Sequence, residues 1–184
     1  VTTGNNPLNI VTIVVHPTGS LVLDSCIIQS ETPIFVLNST GGNITINGDT
    51  KISNKNFACV GVFGGTTTVN SGIISGKCGI VVSATGELIF PSTSSARILG
   101  TDADAVEVHP CRGISINGGT FSSYNGVSIG SYENDGNRMT GFVTGGQLDR
   151  EPSSNPSDPD YDILASGYLP RNPCRIVKSP YEQS

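Results

Sequence analysis

The chain has 184 residues, is 36% hydrophobic and 14% charged, and carries a formal net charge of -5 at pH 7. That length suits one domain, and Gly 23 with Pro 11 fall short of collagen-like or disordered composition. An acidic balance with scattered Lys and Arg argues against a nucleic-acid-binding surface, and no run approaches the length of a membrane span.

The opening stretch VTTGNNPLNI lacks the positive segment and apolar core of a signal peptide. There is no Trp, which weakens the case for sugar stacking, although Tyr and Phe remain available. The cysteines (Cys26, Cys59, Cys78, Cys111 and Cys174) are odd in number and form no CxxC pair, which disfavours a zinc site. At most two disulfides are open to them. Cys59 and Cys78 adjoin apolar strand positions and read as small buried residues.

From Leu21 onward an eight-residue pattern recurs: apolar, any, apolar, Asn/Asp/Thr, Gly/Ser, Gly/Cys, any, apolar. It reads LVLDSCII from Leu21, TTVNSGII from Thr67, ISINGGTF from Ile114 and GFVTGGQL from Gly141. ITINGDTKI from Ile44 carries one extra residue, and LIFPSTSSARIL from Leu88 carries a longer insertion. The starts are spaced by 23, 23, 21, 26 and 27 residues. A second apolar stretch ending near Gly precedes each copy, as in IVVHPTG (13–19) and VEVHPCRG (106–113). Period-2 alternation in short runs predicts strands. The expected fold is all-β, a single-stranded right-handed parallel β-helix of about six coils over about 11–150, with inward side chains forming one core.

Inward positions should include Ile13, Val15, Leu21, Leu23 and Ile28 in the first coil, and Ile80, Val82, Leu88 and Phe90 in the fourth. Asp24, Asn47, Asn70 and Asn117 fall at one corner, where such residues tolerate left-handed backbone and can bond along a ladder. Val14, Phe35, Gly61 and Val81 should stack outward as a partly apolar column. Past the coils, 151–184 reads as an irregular cap covering an open edge. A short helix is expected over Asp158–Ala165, with Pro159 in its first turn.

INGGTFSS (116–123) and VTGGQLDREPSSNPSDPDYDILASGY (143–168) resemble coils of bacterial cell-surface β-helix repeat proteins. More broadly, the repeat resembles the pectin-lyase-like right-handed parallel β-helix superfamily. The resemblance covers about 11–150 and implies the fold; one fold hosts many activities. Polygalacturonase-like members carry Asn-Thr-Asp, Asp-Asp and Gly-His-Gly signatures, none of which occurs here. Pectate lyases carry Arg-x-Pro-x-x-Arg. RNPCR from Arg171 departs from it by one residue and lies outside the coils, so no lyase site is assigned to it.

His16 and His109 each precede a proline, but four coil steps separate them by roughly 19 Å, too far to share a metal ion. A better candidate lies at the turn expanded to SYENDGNRMT (131–140) in coil six. Stacking over HPCRG (109–113) would bring His109, Arg112, Tyr132, Glu133, Asp135 and Arg138 towards one edge beside Glu107. Long loops on rigid scaffolds are common binding sites. Glu133, Asp135 and His109 are the candidate catalytic groups there, since carboxylates with a His could support acid–base cleavage. A solvated, salt-bridged loop is the plainer reading. Asp102, Asp104 and Glu107 form an acidic group without calcium-loop spacing, and read as a polar turn.

The function these features imply is a non-catalytic module of an extracellular or cell-surface bacterial protein: adhesin, spacer or glycan-binding β-helix. It would need no metal or cofactor. Its partners would be a polysaccharide or host glycan, or further repeats of a larger parent protein, and neither nucleic acid nor a membrane span. The alternatives are a polysaccharide lyase or glycoside hydrolase using the 131–140 edge, and a phage or virion receptor-binding β-helix.

Overall fold

Stacking coils requires inward apolar residues, corners that turn the backbone, and strand edges that hydrogen-bond to the next coil. The computed structural model describes residues 7–9, 12–171 and 174–179 and meets all three requirements. The chain winds as a right-handed parallel β-solenoid of about six turns, with no helix among the described residues. Each coil crosses three strand columns. Column one holds Ile13–Val15, Leu37–Thr40, Val106–Val108 and Ile129–Ser131, and column two Ser20–Asp24, Asn43–Asn47 and Gly113–Ile116. In coils three and four, Val60–Val69 and Ile80–Phe90 run through both columns. Column three stacks Pro7–Asn9, Ile27–Ser30, Lys51–Asn54, Ile73–Gly76, Arg97–Gly100, Thr120–Ser123 and Gln147–Leu148, all in parallel.

The register follows the sequence repeat. Leu21, Ile44, Thr67, Leu88 and Ile114 are successive partners, and Ile116 bridges Val143, which places the sixth copy where the motif puts it. Behind them the core runs as continuous inward files. In column three Ile28, Ile52, Ile74, Ile98, Phe121 and Leu148 are all buried. Removing each such side chain from water contributes about 1.5–3 kcal/mol. Phe90 and Phe121 meet edge to face with ring centroids 4.9 Å apart, the favoured aromatic geometry. Ile13 and Leu21, at the first coil, are only partly covered but pack on the same core.

The corner between columns two and three carries the expected Asn ladder in two pieces. Asn70 Nδ2 donates to Asn47 Oδ1 at 2.8 Å, and Thr144 donates to Asn117 Oδ1. Pro91 follows the buried Phe90 at this corner in coil four and breaks the ladder, because proline brings no side-chain amide. Gly48 and Gly72 adopt φ of 59° and 102° here. A Cβ on Gly72 would stand 2.5 Å from the Thr50 carbonyl, so the coils stack too closely for a side chain.

Two expectations need correction. Asn38 and not Phe35 holds the register position in the outward column, whose partners are Val14, Asn38, Gly61, Val81, Glu107 and Gly130, although the Phe35 ring does lie over the outward face of Gly61. The Val36 and Leu37 amides both bond the Cys59 carbonyl, an irregularity that shifts the inward–outward phase by one residue. Phe35 instead packs edge to face with Phe57 and Phe63. The helix expected over 158–165 is replaced by turns and a short extended segment. There the Gly141, Phe142 and Val143 amides bond the Asp162 and Ile163 carbonyls, and Ala165 N bonds back to Val143. Strand pairing outweighs local preference, and Asp162 at φ 58° breaks any helical run.

That segment starts a partial seventh coil. Column three then closes with a reversal, since Arg175–Lys178 pairs antiparallel with Gln147–Leu148 and with Tyr168–Arg171. The described part of the 151–184 segment thus adds an antiparallel pair of strands beside the last parallel rung of column three.

Candidate functional site

Of the residues expected around the 131–140 turn, the fold brings three together. His109 Nε2 lies 2.7 Å from Glu107 Oε1, and the His109 ring stacks on Tyr132 with centroids 5.7 Å apart. The strand Val106–Val108 presents Glu107 outward between buried Val106 and Val108, and His109 follows at the strand end. Tyr132 extends the set inward: its hydroxyl donates to Asp104 Oδ2 at 2.7 Å, while the Val127 amide donates to Oδ1 at 2.9 Å.

Asp104 is 4% exposed. Burial pushes its carboxyl above the ordinary aspartate range, Glu107 and Asp160 add to the push, and the two hydrogen bonds oppose it. Burial and the neighbouring Asp104 drive the Tyr132 hydroxyl upward, so it remains a proton donor. The result is a latch that ties the expanded turn to coil five. Its outer end, the Glu107–His109 pair, is half-buried and could exchange a proton with a bound molecule.

The remaining expected residues go elsewhere. Arg112 turns towards coils three and four, donating to Glu87 Oε2 at 2.8 Å, Thr66 Oγ1 at 2.7 Å and the Gly65 carbonyl at 3.2 Å. Glu87 also accepts from Thr66, and Asn43 Oδ1 accepts the Thr66 amide, so a polar ladder climbs this corner. Arg138 donates to the carbonyls of Asp158, Pro159 and Tyr161 at 2.7–3.0 Å and pins the terminal segment down. Glu133 and Asp135 are exposed on a two-residue hairpin, where Asn134 and Asn137 exchange both backbone bonds at 2.9 Å. Asp135 and Gly136 have φ of 51° and 75°, the conformation an Asp-Gly hairpin demands. The turn is thus built largely for structure.

The second acidic group also disperses. Asp102 faces Lys77 at 3.8 Å, Asp104 faces Tyr132, and Glu107 faces His109. Among the described residues no group of three or more His, Cys, Asp or Glu side chains is placed to hold a metal ion. All five thiols are unpaired, and burial drives those of Cys59 and Cys78 well upward, which makes them poor nucleophiles. His16 lies 3.4 Å from Thr40 Oγ1, four rungs from His109.

A feature that motif reading passed over lies at the corner between columns two and three. An open groove of about 720 Å³ runs across coils one to four. Its floor is Ser25, Gly48, Ser71 and Gly72; its wall is the first outward position of column three, Ile27, Lys51, Ile73 and Arg97. A second groove of about 560 Å³ continues along the same corner past Thr120, Gln147 and Arg175. Neither Lys51 nor Arg97 has an ion-pair partner among the described residues. Compared with models of known families, with curated proteins and with solved structures, the chain finds no match.

Proposed function

We propose that this chain is a non-catalytic polysaccharide-binding β-solenoid module of an extracellular or cell-surface bacterial protein, with the pectin-lyase-like superfamily as its structural kin. The observation that carries the reading is the groove spanning four coils at the corner of columns two and three. It is open along the stacking axis, floored by hydroxyls and backbone, and walled by isoleucine and two cations that have no ion-pair partner among the described residues. An extended sugar chain offers the matching surface: hydroxyl edges for the floor and C–H faces for the isoleucines. The rigid stack holds these groups at fixed intervals, so binding requires little ordering of the protein.

Affinity electrophoresis of the whole chain through gels containing soluble polysaccharides tests this reading. Retardation by at least one polymer, with no new reducing ends or unsaturated products, is the expected result. Migration unchanged in every gel would overturn it. The Glu107–His109 contact of 2.7 Å favours a second reading, polysaccharide cleavage with that pair moving the proton. Product release that disappears in Glu107→Gln would replace the module with an enzyme.

A further inference from the structure

The wall of the first groove has an order of its own. Read from coil one to coil four, the residues are Ile27, Lys51, Ile73 and Arg97, each paired with the next in parallel register. Apolar and cationic side chains therefore alternate along the axis. Successive rungs lie about 4.8 Å apart, so Lys51 and Arg97 stand roughly 9.6 Å apart. A sugar ring in an extended chain advances by close to one rung, and two rungs take one disaccharide.

Resting on the glycan-binding reading above, we infer that this groove takes a linear acidic glycan with one carboxylate per disaccharide. Each carboxylate meets Lys51 or Arg97, and the uncharged sugar between them lies against Ile73. A polymer charged on every sugar would press alternate carboxylates against Ile27 and Ile73, where ions lose hydration without gaining a partner. A neutral polymer would leave both cations unused. Arg175, three rungs beyond Arg97, falls outside this alternation. Asp49 lines the groove near Lys51 and opposes an anion there, so its removal should tighten binding.

The test measures the affinity of the whole chain for three labelled decasaccharides by fluorescence anisotropy at low and high salt. Hyaluronan has one carboxylate per disaccharide, oligogalacturonate one per sugar, and cello-oligosaccharide none. Hyaluronan should bind about tenfold more tightly than either of the others, with affinity falling as salt rises. Lys51→Ala and Arg97→Ala should each weaken it about tenfold, Asp49→Asn should strengthen it, and thermal unfolding should be unchanged in all three. Ile73→Lys fills the gap in the cation file and should shift preference towards oligogalacturonate. Equal or tighter binding of oligogalacturonate by the parent chain overturns the inference. So does binding that survives both alanine substitutions. If cello-oligosaccharide alone binds, the glycan-binding module stands and the charge rule falls; if none of the three binds while a gel polymer does, the same holds.

Discussion

Arg112 and Arg138 on one side of the solenoid, and Lys51 and Arg97 on another, carry the same charge into opposite circumstances. Arg112 is held by Glu87, Thr66 and a carbonyl, and Arg138 by three carbonyls of the terminal segment that share its Nη2, while its buried Nε has no partner among the described residues. Lys51 and Arg97 line an open groove and meet no carboxylate of their own chain among the described residues. A conspicuous loop drew attention to the first pair, yet its arginine holds the protein together. The regular coils, with no insertion to mark them, keep their cations available. Irregularity in a solenoid is thus a poor guide to where its chemistry faces outward.

The sharpest way to break this contrast is Arg138→Ala. The Tyr161 carbonyl would lose its side-chain donor, and those of Asp158 and Pro159 would keep only their backbone donors Tyr161 N and Ser131 N, costing about 2–4 kcal/mol in urea unfolding, with faster hydrogen exchange at the Gly141 and Phe142 amides. An unchanged midpoint would mean that Arg138 is as idle as Lys51. Tyr132→Phe comes next. It removes the hydroxyl bonded to Asp104 and should cost about 1.5 kcal/mol by the same measurement. In the groove half, Thr67 is fully buried and its hydroxyl has no partner among the described residues. Thr67→Val should therefore raise stability by about 1 kcal/mol, read as a higher melting temperature.

A smaller effect follows from Asp104, whose folded carboxyl titrates above its unfolded range. Between those two values the native chain holds a proton that the unfolded chain releases. Its contribution is therefore full at lower pH, falls as pH rises through that window, and levels off above it. Urea midpoints measured across the acidic range should show this slope in the parent chain and lose it in Asp104→Asn. Smallest of all, Lys51→Ala and Arg97→Ala should each move stability by less than about 0.5 kcal/mol, as expected for exposed side chains.

The architecture was legible because the repeat fixes it twice. Apolar alternation assigns Leu23, Ile46, Val69, Phe90 and Ile116 to the core, and the turn residues assign the corners. Register then leaves little freedom, since a slip of one residue would expose every inward side chain. Phe35 escaped because a bonding irregularity at Val36 and Leu37 shifts the phase, which alternation alone does not encode. The 158–165 segment escaped because its capping signals are local, whereas its partners are the amides and carbonyls of coil six. The candidate site was legible only in part. Glu107, His109 and Tyr132 do converge, but the direction taken by Arg112 and Arg138 depends on carbonyls distant in sequence. The groove escaped for another reason. Ile27, Ile73, Thr120 and Gln147 occupy the repeat position at which any residue is allowed, and Lys51 and Arg97 are their register partners. A consensus records what the fold requires, and a ligand reads what it leaves unspecified.

The reversed strand Arg175–Lys178 also bears on assembly. A parallel stack offers its last rung as a template on which another copy could continue the winding. Here the outermost strand of column three is Tyr168–Arg171, reached through an antiparallel partner. It includes Pro170, which has no amide hydrogen to give. Pairing of another copy along that strand is thereby obstructed at Pro170, so one proline set beside a stack of interchangeable rungs limits what can add to this edge of column three.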